Sequence, residues 1–122
     1  MQVESLISTV DSKDLVHVAV SCLQDKKAED VVALDIASIS SIADFFVICS
    51  GLNSRHVRSL ADEVDKSVKA STGRSPRAIE GLNDTSWVLM DYGDIVVHIF
   101  MPETREFYSL ERLWSDAAQL AL

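Results

Sequence analysis

The chain has 122 residues, of which 48% are hydrophobic and 25% charged, and its formal net charge is −8. These values are typical of one ordinary soluble domain, so we take 1–122 as a single domain with a core of about 12–114. The acidic balance argues against free nucleic acid as a partner and favours a basic protein. No apolar run approaches the ~20 residues that span a bilayer. Because Met1–Ser5 shows no secretory signal or transit peptide, we expect a cytoplasmic protein with no membrane partner.

The cysteines and histidines do not form a pattern that predicts a metal site. Cys22 and Cys49 are far apart and lie in apolar segments, so we expect both to be reduced core residues. His17, His56 and His98 share no ligand spacing with one another or with either cysteine. The sequence therefore predicts no metal and no cofactor.

A helix followed by two strands is predicted at the start of the chain. The helix is expected over about 12–27, with Asp11 or Ser12 as its cap, after a loose lead-in or a frayed first turn. Short apolar runs at 31–36 and 44–49 are bounded by polar residues, which is typical of strands. The second run is apolar on both faces, as strands inside a sheet usually are.

A long amphipathic helix is predicted next, over about 55–72. Its apolar residues recur at intervals of three and four, the spacing of one buried helix face. Asn53 or Ser54 is the expected N-cap, and Gly73 is a natural residue to end the helix. After a loop, 78–80 has the pattern of a short edge strand.

The stretch 86–100 predicts a β-hairpin, since it consists of two apolar arms joined by a tight turn. Side chains alternate along a strand, so Trp87, Leu89 and Asp91 must share one face, and Val88 and Met90 the other. Both faces are apolar along most of the hairpin, and both therefore need cover.

The register of this hairpin depends on the turn at Tyr92-Gly93. A two-residue loop there would place Asp91 opposite Asp94, but Tyr92 would then need a positive φ, which a bulky residue resists. A type I turn with Gly93 as a left-handed bulge avoids that cost and shifts the pairing by one. We favour the bulge.

The last predicted element is an amphipathic helix over 103–114, which follows a stop to the sheet at Pro102. Its apolar side is formed by Phe107, Leu110, Leu113 and Trp114. The tail, 115–122, either extends this helix or frays. The element order as a whole predicts an α/β or α+β domain, with a mixed sheet of about five strands packed against helices.

Two sets of residues are candidate catalytic or ligand sites. Ser50-Gly51 lies between a strand and a helix, where phosphate can bind, but no Gly-rich run or Lys-Ser/Thr pair accompanies it, and a turn requires such residues anyway. Asp91 and Asp94 could hold Mg²⁺, although turns alone also favour Asp. No third carboxylate has a suitable position. The residues do not make a case for an enzyme.

Five blocks carry a family resemblance, in a fixed order that spans roughly 15–114. They are Val32–Ile36, Ser41–Val57, Glu80-Gly81, Trp87–Phe100 and Arg105–Trp114. Any one block is weak evidence, but the set is highly specific. Together the blocks resemble the ribosomal silencing factor family, also called the Iojap family.

This resemblance implies a nucleotidyltransferase-like fold that lacks the catalytic carboxylate motif. It also implies a translation repressor that docks on the large ribosomal subunit through the basic protein L-fourteen. Docking would block joining of the small subunit and lower translation when nutrients are short. Members of the family look able to form dimers. The alternative is a nucleotidyltransferase-like enzyme that uses Ser50-Gly51 and the pair Asp91 and Asp94.

We predict the protein-binding surface on the Trp87 side of the hairpin and at the start of the C-terminal helix. Aromatic anchors with a charged rim often hold most of the energy of an interface, and acids there could meet Lys and Arg of the ribosomal protein. The opposing interpretation is that Trp87 and Phe107 pack in the core. The predicted contact residues are Trp87, Leu89, Asp91, Tyr92, Asp94, Phe107 and Tyr108.

Overall fold

The computed structural model describes the backbone of residues 3–122 and the side chains of residues 12–122. The helices are α1 (Val3–Asp25), α2 (Ser54–Thr72), α3 (Pro102–Tyr108) and α4 (Leu110–Leu113). The strands are β1 (Glu29–Asp35), β2 (Phe45–Ser50), β3 (Ala78–Glu80), β4 (Trp87–Asp91), β5 (Ile95–Phe100) and β6 (Ala118–Gln119).

The strands form one mixed sheet in the order β3-β4-β5-β2-β1-β6. Strands β2 and β5 are parallel, and every other neighbouring pair is antiparallel. The predicted α+β class with a mixed sheet is confirmed. The sheet has one more strand than the five expected, because the tail neither extends a helix nor frays. Its Ala118 and Gln119 instead pair with Asp35 and Leu34 of β1.

Helices α1 and α2 cover one face of the sheet. The predicted apolar stripe of α2 is buried, Asn53 caps the helix by accepting from the His56 backbone N–H at 2.9 Å, and Gly73 ends it at φ 77°. Cys22 and Cys49 are buried and free, as predicted.

The expected start of α1 was wrong. The helix already begins at Val3 and ends at Asp25, so neither Asp11 nor Ser12 is its cap. No Gly or Pro occurs in this stretch, and nothing therefore stops the helix from continuing toward the N-terminus. Instead of capping a helix, the Ser12 hydroxyl donates to the Asp94 carboxylate.

The hairpin forms with the predicted faces but in neither of the two registers considered. Asp91 pairs with Val96, and the Tyr92 N–H donates to the Ile95 carbonyl at 2.9 Å, so the loop is Gly93-Asp94. The turn lies one residue later than predicted because Gly93, at φ 93°, takes the first position of the loop. Glycine at that position is the pattern of a type II′ turn, and no bulky residue needs a positive φ.

The C-terminal helix predicted over 103–114 is broken in two. Ser109, at φ 48°, separates α3 from α4 and donates its backbone N–H to the Arg105 carbonyl at 2.8 Å. The break rotates the second helix, so the four apolar residues do not form one buried side. Leu110 is buried and Trp114 is half-buried, whereas Phe107 and Leu113 are exposed.

The face of the sheet opposite α1 and α2 carries a second apolar cluster. It includes Phe46, Val96 and Phe100, and Leu110 and Trp114 of the C-terminal segment pack on it. This cover lies over one part of the face, and Trp87 and Leu89 of β4 stay half-buried. Within the described part of the chain, no helix is both long and apolar enough to cross a membrane.

Candidate functional site

Trp87 is the centre of an aromatic cluster on the less covered face of the sheet. It lies at the start of β4 and pairs with Phe100 of β5. Its ring stacks on Phe100 with centroids 4.9 Å apart and lies 4.9 Å from the ring of Tyr108 in α3. Trp87 is half-buried, so it is neither a core residue nor a free surface residue. Part of the indole is packed against these rings and part is exposed.

Phe107 and Tyr108 extend this cluster into solvent. Phe107 is 80% exposed and Tyr108 is 50% exposed. Their rings meet edge to face at 5.0 Å, a favourable geometry for an aromatic pair. With half-buried Leu89 on the same face of β4, they form what we call the aromatic patch: Trp87, Leu89, Phe107 and Tyr108. Exposed apolar groups of this kind mark interaction sites.

Asp91 supplies a carboxylate on the same face as Trp87 and Leu89, at the other end of β4. It forms an ion pair with Arg77 at 3.2 Å and accepts from the Gly93 backbone N–H at 2.8 Å. The Arg77 side chain is largely exposed and can move away. Asp91 can therefore meet a basic partner beside the aromatic patch.

Tyr92 and Asp94 lie away from the aromatic patch. Tyr92 is buried in the cluster beneath α1 and α2, and burial raises the pKa of its hydroxyl. Asp94 forms an ion pair with Arg74 at 2.7 Å and accepts from Ser12, so it joins the hairpin turn to α1 and to the loop after α2. We therefore leave both residues out of the proposed contact surface.

The ion pair of Asp94 leads to a prediction about stability and pH. Burial alone would raise the pKa of Asp94, but hydrogen bonds from Arg74 and Ser12 outweigh it and lower that pKa. A lowered pKa in the folded state means that the carboxylate stabilises the fold above its unfolded pKa, and that this is lost as the pH falls through the folded pKa. Asp94→Asn is expected to lower the free energy of unfolding by about 1–3 kcal/mol at neutral pH.

Urea denaturation of the wild type and of Asp94→Asn at several pH values measures this effect. The difference between the two proteins should narrow as the pH falls below about 4, where Asp94 of the unfolded chain begins to take up a proton while the folded carboxylate is still charged. A difference that stays the same size down to about pH 2.5 would contradict the role of the charge.

The residues considered for catalysis do not form one site. Ser50 pairs with Phe100 at one end of β5, whereas Asp94 directly precedes Ile95 at the other end. Phe100 lies six positions after Asp94, which corresponds to about 20 Å at 3.3 Å per residue. Ser50 instead accepts a hydrogen bond from Arg105 at 3.0 Å. Among the described residues, no group of three or more His, Cys, Asp or Glu side chains could hold a metal ion.

Comparison of this chain with known protein families identifies its family. The family model described as "Ribosomal silencing factor during starvation" matches residues 9–122. The chain belongs to the ribosomal silencing factor family. The resemblance inferred from the five sequence blocks is confirmed.

Relatives in this family match over most of this chain. The "Ribosomal silencing factor RsfS" of Halalkalibacterium halodurans is 43% identical over 113 residues, which cover 93% of this chain and 96% of that protein. The protein of the same name from Bacillus subtilis is 40% identical and is covered to 91%, against 88% of this chain. The mouse "Mitochondrial assembly of ribosomal large subunit protein 1" is 33% identical over 87% of this chain and 47% of its own length.

Solved structures agree with the fold. A crystal structure of a Chromobacterium violaceum protein matches with a TM-score of 0.81 at 32% identity, over 84% of this chain and 85% of that one. A crystal structure from Bacillus halodurans matches with a TM-score of 0.77 at 41% identity, over 90% of this chain and 99% of that one.

Sequence reasoning missed Arg105, which holds α3 in place. Its guanidinium pairs with Glu111 at 2.7 Å and donates to the Ser50 hydroxyl and to the Asp30 carbonyl. These contacts fix the helix that carries the exposed ring of Phe107. Because the partners come from β1, β2 and α4, no local pattern in the sequence indicates them.

His98 was also missed as part of this surface. It lies on β5 next to Trp87, whose indole N–H donates to His98 Nδ1 at 3.1 Å. Burial lowers the pKa of His98 to about 4, so the ring is neutral near pH 7. A single polar residue in the otherwise apolar strand Ile95–Phe100 is the signal that could have pointed to it.

Proposed function

We propose that this protein binds the large ribosomal subunit through its basic protein L-fourteen and so prevents the small subunit from joining. The family to which the chain belongs is described by ribosome silencing during starvation, and its mouse relative is named for assembly of the ribosomal large subunit. An acidic chain with net charge −8 suits a basic protein partner. The protein would thereby repress translation when nutrients are short.

The aromatic patch is the surface we assign to this contact. The observation that carries the assignment is the exposure of Phe107 and Tyr108 directly beside the half-buried Trp87. Tyr and Trp are enriched among the few residues that hold most of the energy of an interface. Asp91, on the same face, adds a charge that can pair with Lys or Arg of the partner.

Silencing of this kind requires occupancy rather than chemistry. A standard interface covers about 800 Å² on each partner, enough to exclude another subunit from the same surface. Ser50 and the acids of the hairpin turn lie at opposite ends of β5 and are not needed for such a mechanism. The proposal implies a cytoplasmic protein, since ribosomal subunits join in the cytoplasm. It also includes the homodimer that the family resemblance implies.

Sedimentation with isolated ribosomal subunits tests the function. The protein is expected to migrate with large subunits in a density gradient and to reduce the yield of whole ribosomes when small subunits are added afterwards. Because acids meet a basic partner, the amount bound should fall as the salt concentration rises. Migration with small subunits only, or with neither subunit, would contradict the proposal.

A further inference from the structure

His98 is a buried polar residue in the otherwise apolar strand β5. It is 4% exposed, and the aromatic ring of Phe46 lies edge-on at 4.6 Å. Its Nε2 atom has no hydrogen-bond partner among the described residues. A buried polar group without a partner costs stability. An apolar side chain at this position should therefore give a protein that is at least as stable.

The other ring nitrogen has a defined role. An indole N–H can only donate, so His98 Nδ1, which lies 3.1 Å from Trp87 Nε1, must be the acceptor. The proton of the neutral ring is then on Nε2. The tautomer that serves Trp87 is thus the one that leaves a buried N–H unpaired.

The hydrogen bond between Trp87 and His98 affects how the indole is oriented within its plane. Packing against Phe100 and Tyr108 holds the plane of the Trp87 indole. A half-turn of the indole about its Cβ–Cγ bond keeps the plane of the ring but exchanges its two edges and takes Nε1 away from His98. The hydrogen bond from Trp87 Nε1 to His98 Nδ1 is made in one of these two orientations and therefore favours it.

We propose that His98 is a positioning residue for large-subunit binding: it fixes which edge of the Trp87 indole the aromatic patch presents to the partner. The inference rests on the proposed function, in which Trp87 is an anchor of the contact. Such an anchor binds best when its orientation is set before the partner arrives, because less freedom is then lost on binding. The unpaired Nε2–H is the cost of that orientation.

Two substitutions of His98 separate positioning from packing. His98→Leu removes the acceptor, and we expect a melting temperature equal to or above that of the wild type together with about tenfold weaker binding to large subunits. His98→Asn keeps an acceptor oxygen near the position of Nδ1, and we expect it to bind within about threefold of the wild type. Rescue by Asn but not by Leu identifies the hydrogen bond as the cause.

The indole N–H signal of Trp87 gives a reading that does not depend on the ribosome. In protein labelled with ¹⁵N-tryptophan, Trp87→Phe identifies this signal by its disappearance. The N–H should exchange slowly with solvent in the wild type and in His98→Asn, and faster and at a shifted position in His98→Leu. If the hydrogen bond does not hold the indole in place, this N–H should exchange no faster in His98→Leu than in the wild type.

The outcomes distinguish this inference from the proposed function. In a Trp87→Phe background, His98→Leu should have no further effect on binding, because the donor is already gone. If Trp87→Ala binds normally, the assigned contact surface fails. If Trp87→Ala abolishes binding but His98→Leu binds like the wild type, only the positioning role is overturned. Unfolding of His98→Leu would also overturn it, since His98 would then stabilise the core.

Discussion

Trp87→Ala and Phe107→Ala are expected to remain folded and to lose binding to the large subunit, by about tenfold for Phe107 and by about a hundredfold for Trp87. Phe107 is 80% exposed, and its only ring contact within the described residues is with Tyr108. Its removal should therefore leave the free energy of unfolding nearly unchanged. Trp87→Ala removes the stacking of the indole on Phe100. Because Trp87 is only half-buried, the free energy of unfolding should fall by less than the ~3–5 kcal/mol expected for a core tryptophan.

Ile42→Ala provides the matched control for these substitutions. Ile42 is also apolar and is 65% exposed. It precedes β2, whereas Phe107 follows β5, and these two strands are parallel, so the two side chains lie at opposite ends of the sheet. Binding by co-sedimentation and melting by circular dichroism should both match the wild type in this control. Equal losses of binding in Ile42→Ala and Phe107→Ala would mean that the effect is not specific to the aromatic patch.

The elements of this fold were largely predictable because their periodicity is local. The i, i+3, i+4 spacing of α2 and the alternation in β4 are each decided by neighbouring residues. The register of the hairpin depends in addition on residues that are distant in the sequence. The Asp94 carbonyl in its loop accepts from the backbone N–H groups of Asp44 and Phe45, at 2.7 and 3.1 Å, so β2 helps to hold the turn at Gly93-Asp94.

The residues predicted to form one contact surface lie on two different faces of the sheet. Trp87, Leu89 and Asp91 share a face, as alternation requires, and by the same alternation Tyr92 belongs to the other face. That placement could have been read from the sequence. The exposure of Phe107 could not, because it depends on the break at Ser109 and on the long-range contacts of Arg105.

Gly81→Ala is expected to lower the free energy of unfolding by about 3–4 kcal/mol, the second large effect. Gly81 has φ 91°, and a Cβ at this position would lie 2.0 Å from the Trp87 carbonyl oxygen. Real side chains do not approach backbone so closely, so the turn that leads into β4 must shift. That turn is also fixed by the Thr85 N–H, which donates to the Gly81 carbonyl at 2.7 Å.

Gly73→Ala separates the cost of a positive φ from the cost of the collision. Gly73 also has a positive φ, 77°, but a Cβ there would meet nothing within 4 Å. Gly73→Ala should therefore lower the free energy of unfolding by only about 1–2 kcal/mol, the cost of a left-handed backbone conformation for alanine. Urea denaturation of both variants measures the two changes in the free energy of unfolding. Equal changes would show that the positive φ alone, and not the collision, accounts for the effect of Gly81→Ala. Because the collision is with Trp87 itself, Gly81→Ala should also weaken large-subunit binding under conditions where it is still folded, whereas Gly73→Ala should bind normally.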